Sequence, residues 1–194
     1  MKPEQSPPMR ALFGPDAETL SALASASRSN AHEYAPMNPA SAQTLRQLLR
    51  TQEVAALGTL HEGRPYVSMV PFATLSGGTG FVVHVSQLAA HTKDMLRSPP
   101  VSLLVVAPPA PDVLPQALAR VTIQGRASQY ENGTDAHTEA KATYLTRFPE
   151  SADLFGFADF SLFAIVPESV RFVGGFAQAT TISAQKLAEV LSAA

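Results

Sequence analysis

The sequence predicts a mainly β protein, an antiparallel barrel of six or seven strands flanked by a few short helices. Three observations carry that expectation. Apolar runs rich in β-branched and aromatic residues recur between turn signals from Val54 to Val173. The first three runs are separated only by His61-Glu62-Gly63-Arg64 and Ser76-Gly77-Gly78-Thr79-Gly80, and such short connections make antiparallel neighbours. Some runs are apolar on both faces: Val67 and Met69 point one way, Tyr66, Val70 and Phe72 the other. A sheet of that kind needs a filled interior and an outer cover, supplied by helices or by a second subunit.

Residues 1–40 are rich in Pro, Ser, Ala and Asn and read as a partly ordered N-terminal extension, with at most one short helix around Ala17 to Ser27. The domain is expected over 41–194. Ser41 is the expected cap of a helix to Thr51, with Leu45, Leu48 and Leu49 on one side. Strands follow at Val54–Leu60, Tyr66–Leu75 and Phe81–Ser86, with Pro71 marking an edge or a bulge. Leu88–Ser98 reads as a short helix stopped by Pro99 and Pro100. Val101–Ala107 is a strand, and Pro108 to Asp112 a loop. Leu118–Tyr130 is a long strand with Val121, Ile123, Gly125 and Ala127 on one face and Arg120, Thr122, Gln124 and Arg126 on the other. Thr134–Phe148 is a helix ended by Pro149, Phe160–Val166 and Ser169–Val173 are strands, and Ser183–Ala193 is a terminal helix.

Composition narrows the function. A hydrophobic fraction of 45% with 15% charged residues is that of a folded domain. The net charge of −2, without any block of like charges, gives no nucleic-acid footprint. The absence of cysteine excludes disulfides, thiolate catalysis and cysteine-based zinc sites. No secretory signal and no membrane-length apolar run stands out, so a soluble cytoplasmic protein is expected. His32, His61, His84, His91 and His137 include no pair at helical metal-site spacing, so no metal site is expected.

The best place for chemistry is the junction between the third strand and the short helix. Ser86, His91, Thr92 and Lys93 lie within eight residues of one another there. A helix start presents free N–H groups and the positive end of the dipole, and hydroxyl and cationic side chains beside it make a phosphate cradle. The alternative is a serine cap on a solvated helical turn. His91 and Lys93 stand roughly 200° apart on a regular helix. Both face one phosphate only if the helix starts near His91; otherwise one points to solvent. Gln124 and Arg126, mid-strand, are second candidates for a cofactor groove, against the alternative of a wet strand face.

Two sets of motifs carry a resemblance. The first runs from Leu49-Arg50 through Gly58-Thr59-Leu60 and Gly63-Arg64-Pro65-Tyr66-Val67-Ser68-Met69-Val70-Pro71 to His91-Thr92-Lys93-Asp94-Met95-Leu96. It resembles the pyridoxamine 5′-phosphate oxidase-like superfamily of FMN-binding split β-barrels. The second, Phe155-Gly156-Phe157-Ala158-Asp159-Phe160 with Arg171-Phe172-Val173-Gly174-Gly175-Phe176, is similar to the haem-utilisation branch of that superfamily, in a short form without an extra C-terminal domain. The resemblance implies a homodimer with FMN along the second strand near Val67, Ser68, Met69 and Val70. It places the FMN phosphate near Ser86, His91, Thr92 and Lys93, with Arg64 and Arg126 in reach of phosphate or ring. Ala89-Ala90-His91 stand where the oxidases carry Ser-Arg-Lys, and the oxidases' C-terminal Arg-x-His motif is missing, so pyridoxine phosphate oxidation is not expected. The resulting expectation is an FMN-binding homodimer, an oxidoreductase acting on a small molecule. The alternatives are a haem-binding or haem-handling protein and a split-barrel module without cofactor.

Overall fold

In the computed structural model, which describes residues 37–175 and 178–193, one antiparallel sheet of eight strands curls around the core. The extension up to residue 36, with its expected helix, lies outside the described residues. Helix α1 (Pro39–Thr51) comes first, and Leu45, Leu48 and Leu49 are buried as the spacing predicts. Its cap is Asn38, whose side chain accepts from the Ser41 N–H at 2.8 Å, not Ser41 itself. Pro39 explains the shift, since proline suits the first helical position.

The strands are β1 (Val54–His61), β2 (Arg64–Pro71), β3 (Ala73–Thr74), β4 (Phe81–Ser86), β5 (Pro100–Val106), β6 (Arg120–Gln129), β7 (Phe160–Val173) and β8 (Ala179–Ser183). They lie in the order β2-β1-β5-β6-β7-β4-β3, with β8 also on β7. The expected strand Tyr66–Leu75 is thus two. Pro71 still pairs with Val54 on β1, Phe72 leaves the ladder, and Ala73 pairs with Val82 on β4. Conversely, the two strands expected over Phe160–Val173 are one. Between Gln124 and Gly125 the partner on β7 jumps from Ser169 to Pro167, so Glu168 is an extra residue in a bulge. A bulge bends its strand, and here β7 changes neighbour, pairing β4 through Ile165 and β8 from Ser169 onward. β8 was not expected at all.

The core fills the curl. Phe72, Phe81, Phe163, Phe172, Leu57, Leu103 and Ile123 are fully buried, closed by Leu45 and Leu49 of α1 and by Leu187 of α4 (Ala184–Ser192). A second cluster lies under α3 (Asp135–Arg147), where Ala140, Tyr144 and Phe148 meet Ala73, Val82 and Leu162. One part of the sheet keeps an uncovered apolar face. Val67 and Met69 on β2 are 66% and 62% exposed, and Val54, Leu60, Leu104 and Val106 on β1 and β5 are exposed too. Among the described residues no helix is long and apolar enough to cross a membrane.

Candidate functional site

Helix α2 (Ala90–Arg97) starts one residue before His91, after Ala89, which gives the helix start no side-chain cap. The first turn therefore keeps N–H groups without side-chain partners. Lys93 is exposed, so of the two basic residues His91 is the one turned inward. Its Nδ1 lies 3.0 Å from Ser68 Oγ on β2, and this contact joins two of the predicted site segments. Burial pulls the His91 imidazole below its ordinary value, against the opposing influence of Asp94, so the ring is held toward its neutral form.

The other junction residues are engaged within the fold. Ser86 Oγ donates to Asp159 Oδ2 at 2.7 Å and accepts from the Leu88 N–H at 3.1 Å. Thr92 is fully buried and its hydroxyl donates to the Ser86 carbonyl at 2.7 Å. These bonds splice the end of β4 to the start of α2 and to the segment before β7. Asp159, which sequence reasoning missed as a partner, is the acidic residue of the Phe155–Phe160 motif.

Arg64 is exposed at the start of β2, opposite His61. Gln124 and Arg126 are exposed on the outer face of β6, opposite Ser102 and Pro100 of β5. They share that face with Val67, Met69 and Leu104, across β1 and β5, rather than with the inward-facing Ser68–His91 contact. Val70 is buried. The predicted residues thus divide into a junction set, Ser68, Ser86, His91 and Thr92, and an outer-face set, Val67, Met69, Gln124 and Arg126.

One buried polar group was not foreseen. Asp94 on α2 is 1% exposed and accepts hydrogen bonds from Thr59 Oγ1 and His61 Nδ1, both at 2.9 Å. A carboxylate only accepts, so His61 Nδ1 carries the proton. Burial works to raise the Asp94 carboxyl, but the His61 and Thr59 hydrogen bonds, helped by the charges of His61 and Arg97, outweigh it and hold the group below its usual value. Thr59 and His61 are two apart on β1 and so share its inner face, a signal present in the sequence.

Comparison with known proteins places this architecture. The family model described as pyridoxamine 5′-phosphate oxidase matches residues 41–174. The chain belongs to the pyridoxamine 5′-phosphate oxidase family. Within this family the chain is 34% identical over 152 residues to a protein of Arabidopsis thaliana named non-canonical heme oxygenase HOZ, chloroplastic, a match covering 77% of this chain and 45% of that protein. It is 31% identical over 145 residues to the heme oxygenase HutZ of Vibrio cholerae, covering 74% of this chain and 80% of that one. A solved structure, a heme binding protein from Mycobacterium smegmatis, superposes with a TM-score of 0.70 at 31% identity, over 79% of this chain and 62% of the other. Family membership thus carries the split barrel, and the relatives match the haem-utilisation resemblance of the second motif set.

Proposed function

We propose that this family member is a cytoplasmic haem-binding protein of haem utilisation, working as a homodimer, rather than an FMN oxidoreductase. The observation that carries this reading is that two curated relatives, at 34% and 31% identity over some three quarters of the chain, are both named heme oxygenases. The site supports it from two sides. A phosphate cradle at the β4–α2 junction would need free hydroxyls and a cation, yet Ser86 and Thr92 are engaged, Lys93 faces solvent and His91 is biased to the neutral form. The outer sheet face, by contrast, fits a flat apolar ring bearing acidic side groups. Val67, Met69, Leu60 and Leu104 form an exposed apolar bed, and Arg120 and Arg126 of β6 lie on the same face.

On this reading the apolar bed would hold the macrocycle and the exposed Arg126 guanidinium a propionate, by bidentate charge-assisted hydrogen bonds, with Arg120, whose Nη1 donates to the Gln116 and Leu118 carbonyls, adding its charge. Haem, when bound, supplies an iron centre whose redox behaviour depends on its axial ligand and on surrounding hydrogen bonds. The chain's own part is to bind and orient the ring and to keep water from it. A second copy packed on the uncovered face would complete that exclusion.

Two experiments test the reading. Titrating the purified protein with haemin is expected to give a saturable Soret band at one haem per protomer, while FMN fluorescence stays unquenched in a parallel titration. Stoichiometric quenching of FMN with no saturable haemin signal would overturn it. For the dimer, light scattering at micromolar concentration is expected to give twice the protomer mass, and Val67→Asp, which sets a charge in the apolar bed, to give a monomer. A wild-type protein that scatters as a monomer would remove the dimer.

A further inference from the structure

The Phe155–Phe160 motif builds a second cleft, lined by none of the junction residues Ser68, Ser86, His91 and Thr92. It lies between the first turns of α3 and the segment that precedes β7, and encloses about 270 Å³. That is slightly below the roughly 300–1,000 Å³ of pockets for drug-sized ligands, and suits a molecule with a single ring.

Its floor is a buried histidine. His84 on β4 is 7% exposed, and its ring is stacked on Phe155 with centroids 3.8 Å apart and planes 5° from parallel. Tyr144 and Phe160 close around it at 5.7 and 5.1 Å. Its Nδ1 is buried and has no hydrogen-bond partner among the described residues. With no surface open to solvent, that nitrogen does not reach the cleft, and His84 offers a ligand its ring. Burial, reinforced by the nearby Lys141 and His137, lowers this imidazole to about 4, so it is neutral at physiological pH and able to donate or accept.

The walls are cationic and aromatic. Lys141 holds its ammonium 4.7 Å above the other partner of that stack, the Phe155 ring. His137 is one helical turn earlier and lines the same cleft, with the Asn132 amide beside it. None of the residues lining the cleft is acidic, and Lys141 makes no ion pair among the described residues. Phe157 stands at the cleft 56% exposed, an apolar ring with an open face. Ser161 Oγ accepts from Gln87 and Gln129 at 3.2 and 3.0 Å, which fixes the strand behind the cleft.

We infer that this cleft binds a small aromatic monocarboxylate, its carboxylate held by Lys141 and His137 and its ring packed against Phe157 above His84. A phosphate dianion fits less well, since no guanidinium lines the cleft and the remaining lining is aromatic. The site uses none of the residues assigned to haem, because its lining does not include the apolar bed of β1, β2 and β5, Arg120 or Arg126; His84 and Leu162 lie on the same side of the sheet but on β4 and β7.

The probe is benzoate, with benzamide as its neutral isostere and inorganic phosphate as a ringless anion. Ring-proton NMR signals of His84 and His137 in the full chain are followed during each titration. Benzoate is expected to shift both signals saturably, benzamide to bind at least tenfold more weakly, and phosphate to give no saturable shift. Lys141→Gln, a substitution on the helix surface, is expected to weaken benzoate roughly tenfold, the scale of one hydrogen bond to a charged group. His84→Phe keeps an aromatic ring on Phe155 and removes nitrogens that the carboxylate does not use; it is expected to leave benzoate binding, read at His137, at the wild-type affinity. Absence of a saturable benzoate shift, an equal response to phosphate, or unchanged affinity in Lys141→Gln would each overturn the assignment.

Discussion

Gly125→Ala is expected to destabilise the fold by about 3 kcal/mol or more, above the roughly 1–3 kcal/mol usual for overpacking. A Cβ on Gly125 would sit 2.2 Å from the Val166 carbonyl oxygen, 2.9 Å from its carbon and 3.1 Å from Pro167 Cα. All three are backbone atoms, so no side chain can turn aside to make room. The backbone that would have to move is the bulge where β7 passes from pairing β4 to pairing β8. Arg126 pairs with Val166 and Gln124 with Ser169, and these pairs pin the bulge on both sides. Relief would therefore have to slip or open the β6–β7 ladder. Gly58→Ala is the control, because its Cβ would find Ser102 at 3.6 and 3.7 Å, ordinary contact distances. Urea unfolding of the two variants should separate them by most of the predicted loss. A Gly125→Ala protein within 1 kcal/mol of wild type would show that the bulge is soft, and that close packing does not fix its glycine.

The same bulge marks where local sequence signals stopped predicting the fold. The alternation along β6 was readable because each strand residue reports its own face: Val121, Ile123 and Ala127 are buried, Gln124 and Arg126 exposed. Pro71 marked an edge or a bulge because proline has no N–H to give a ladder, but the break itself falls at Phe72, within a run that reads as one strand. Pro167 and Glu168, by the same logic, suggested a gap between two strands, yet the bulge absorbs them. Ala179–Ser183 has little alternation and is a strand because the far half of β7 offers it an edge. At the site, Ser86, His91 and Thr92 could be grouped because they are neighbours in sequence. The bond of Ser86 to Asp159 spans 73 residues and that of Asp94 to Thr59 spans 35, and no local period encodes such pairings. His84 packs within the fold, stacked on Phe155. Its unpaired nitrogen is a property of the assembled surroundings, which the strand pattern alone does not contain.

Asp94→Asn is expected to cost about 2–3 kcal/mol near neutral pH, the scale of losing hydrogen bonds to a buried charged acceptor. The amide matches the carboxylate in shape, so the loss is electronic rather than steric. The carboxylate accepts from Thr59 Oγ1 and His61 Nδ1, whereas an amide has one accepting atom, so one contact must reverse, with the Thr59 hydroxyl or the other His61 tautomer accepting from the amide N–H, and both lose a charged acceptor. Thr59 is buried at 4% exposure and cannot recover its bond from water, while His61, with its side chain 43% exposed, partly can. Most of the cost should therefore pass through Thr59, and Thr59→Val should lose part of the same energy and add little to Asp94→Asn in a double-mutant cycle. The pH dependence follows from the sign of the carboxyl shift. Its folded value lies below the unfolded value of 3.8, so the stabilisation is complete above that value and is lost as pH falls through the lower folded one. Asparagine does not titrate. The stability gap between wild type and Asp94→Asn should thus be constant from neutral pH down to about pH 5 and narrow steadily in stronger acid. Urea unfolding across that range measures it directly, and a gap that stays constant into the acid-unfolding region would show that Asp94 is not held as an ionised acceptor between β1 and α2.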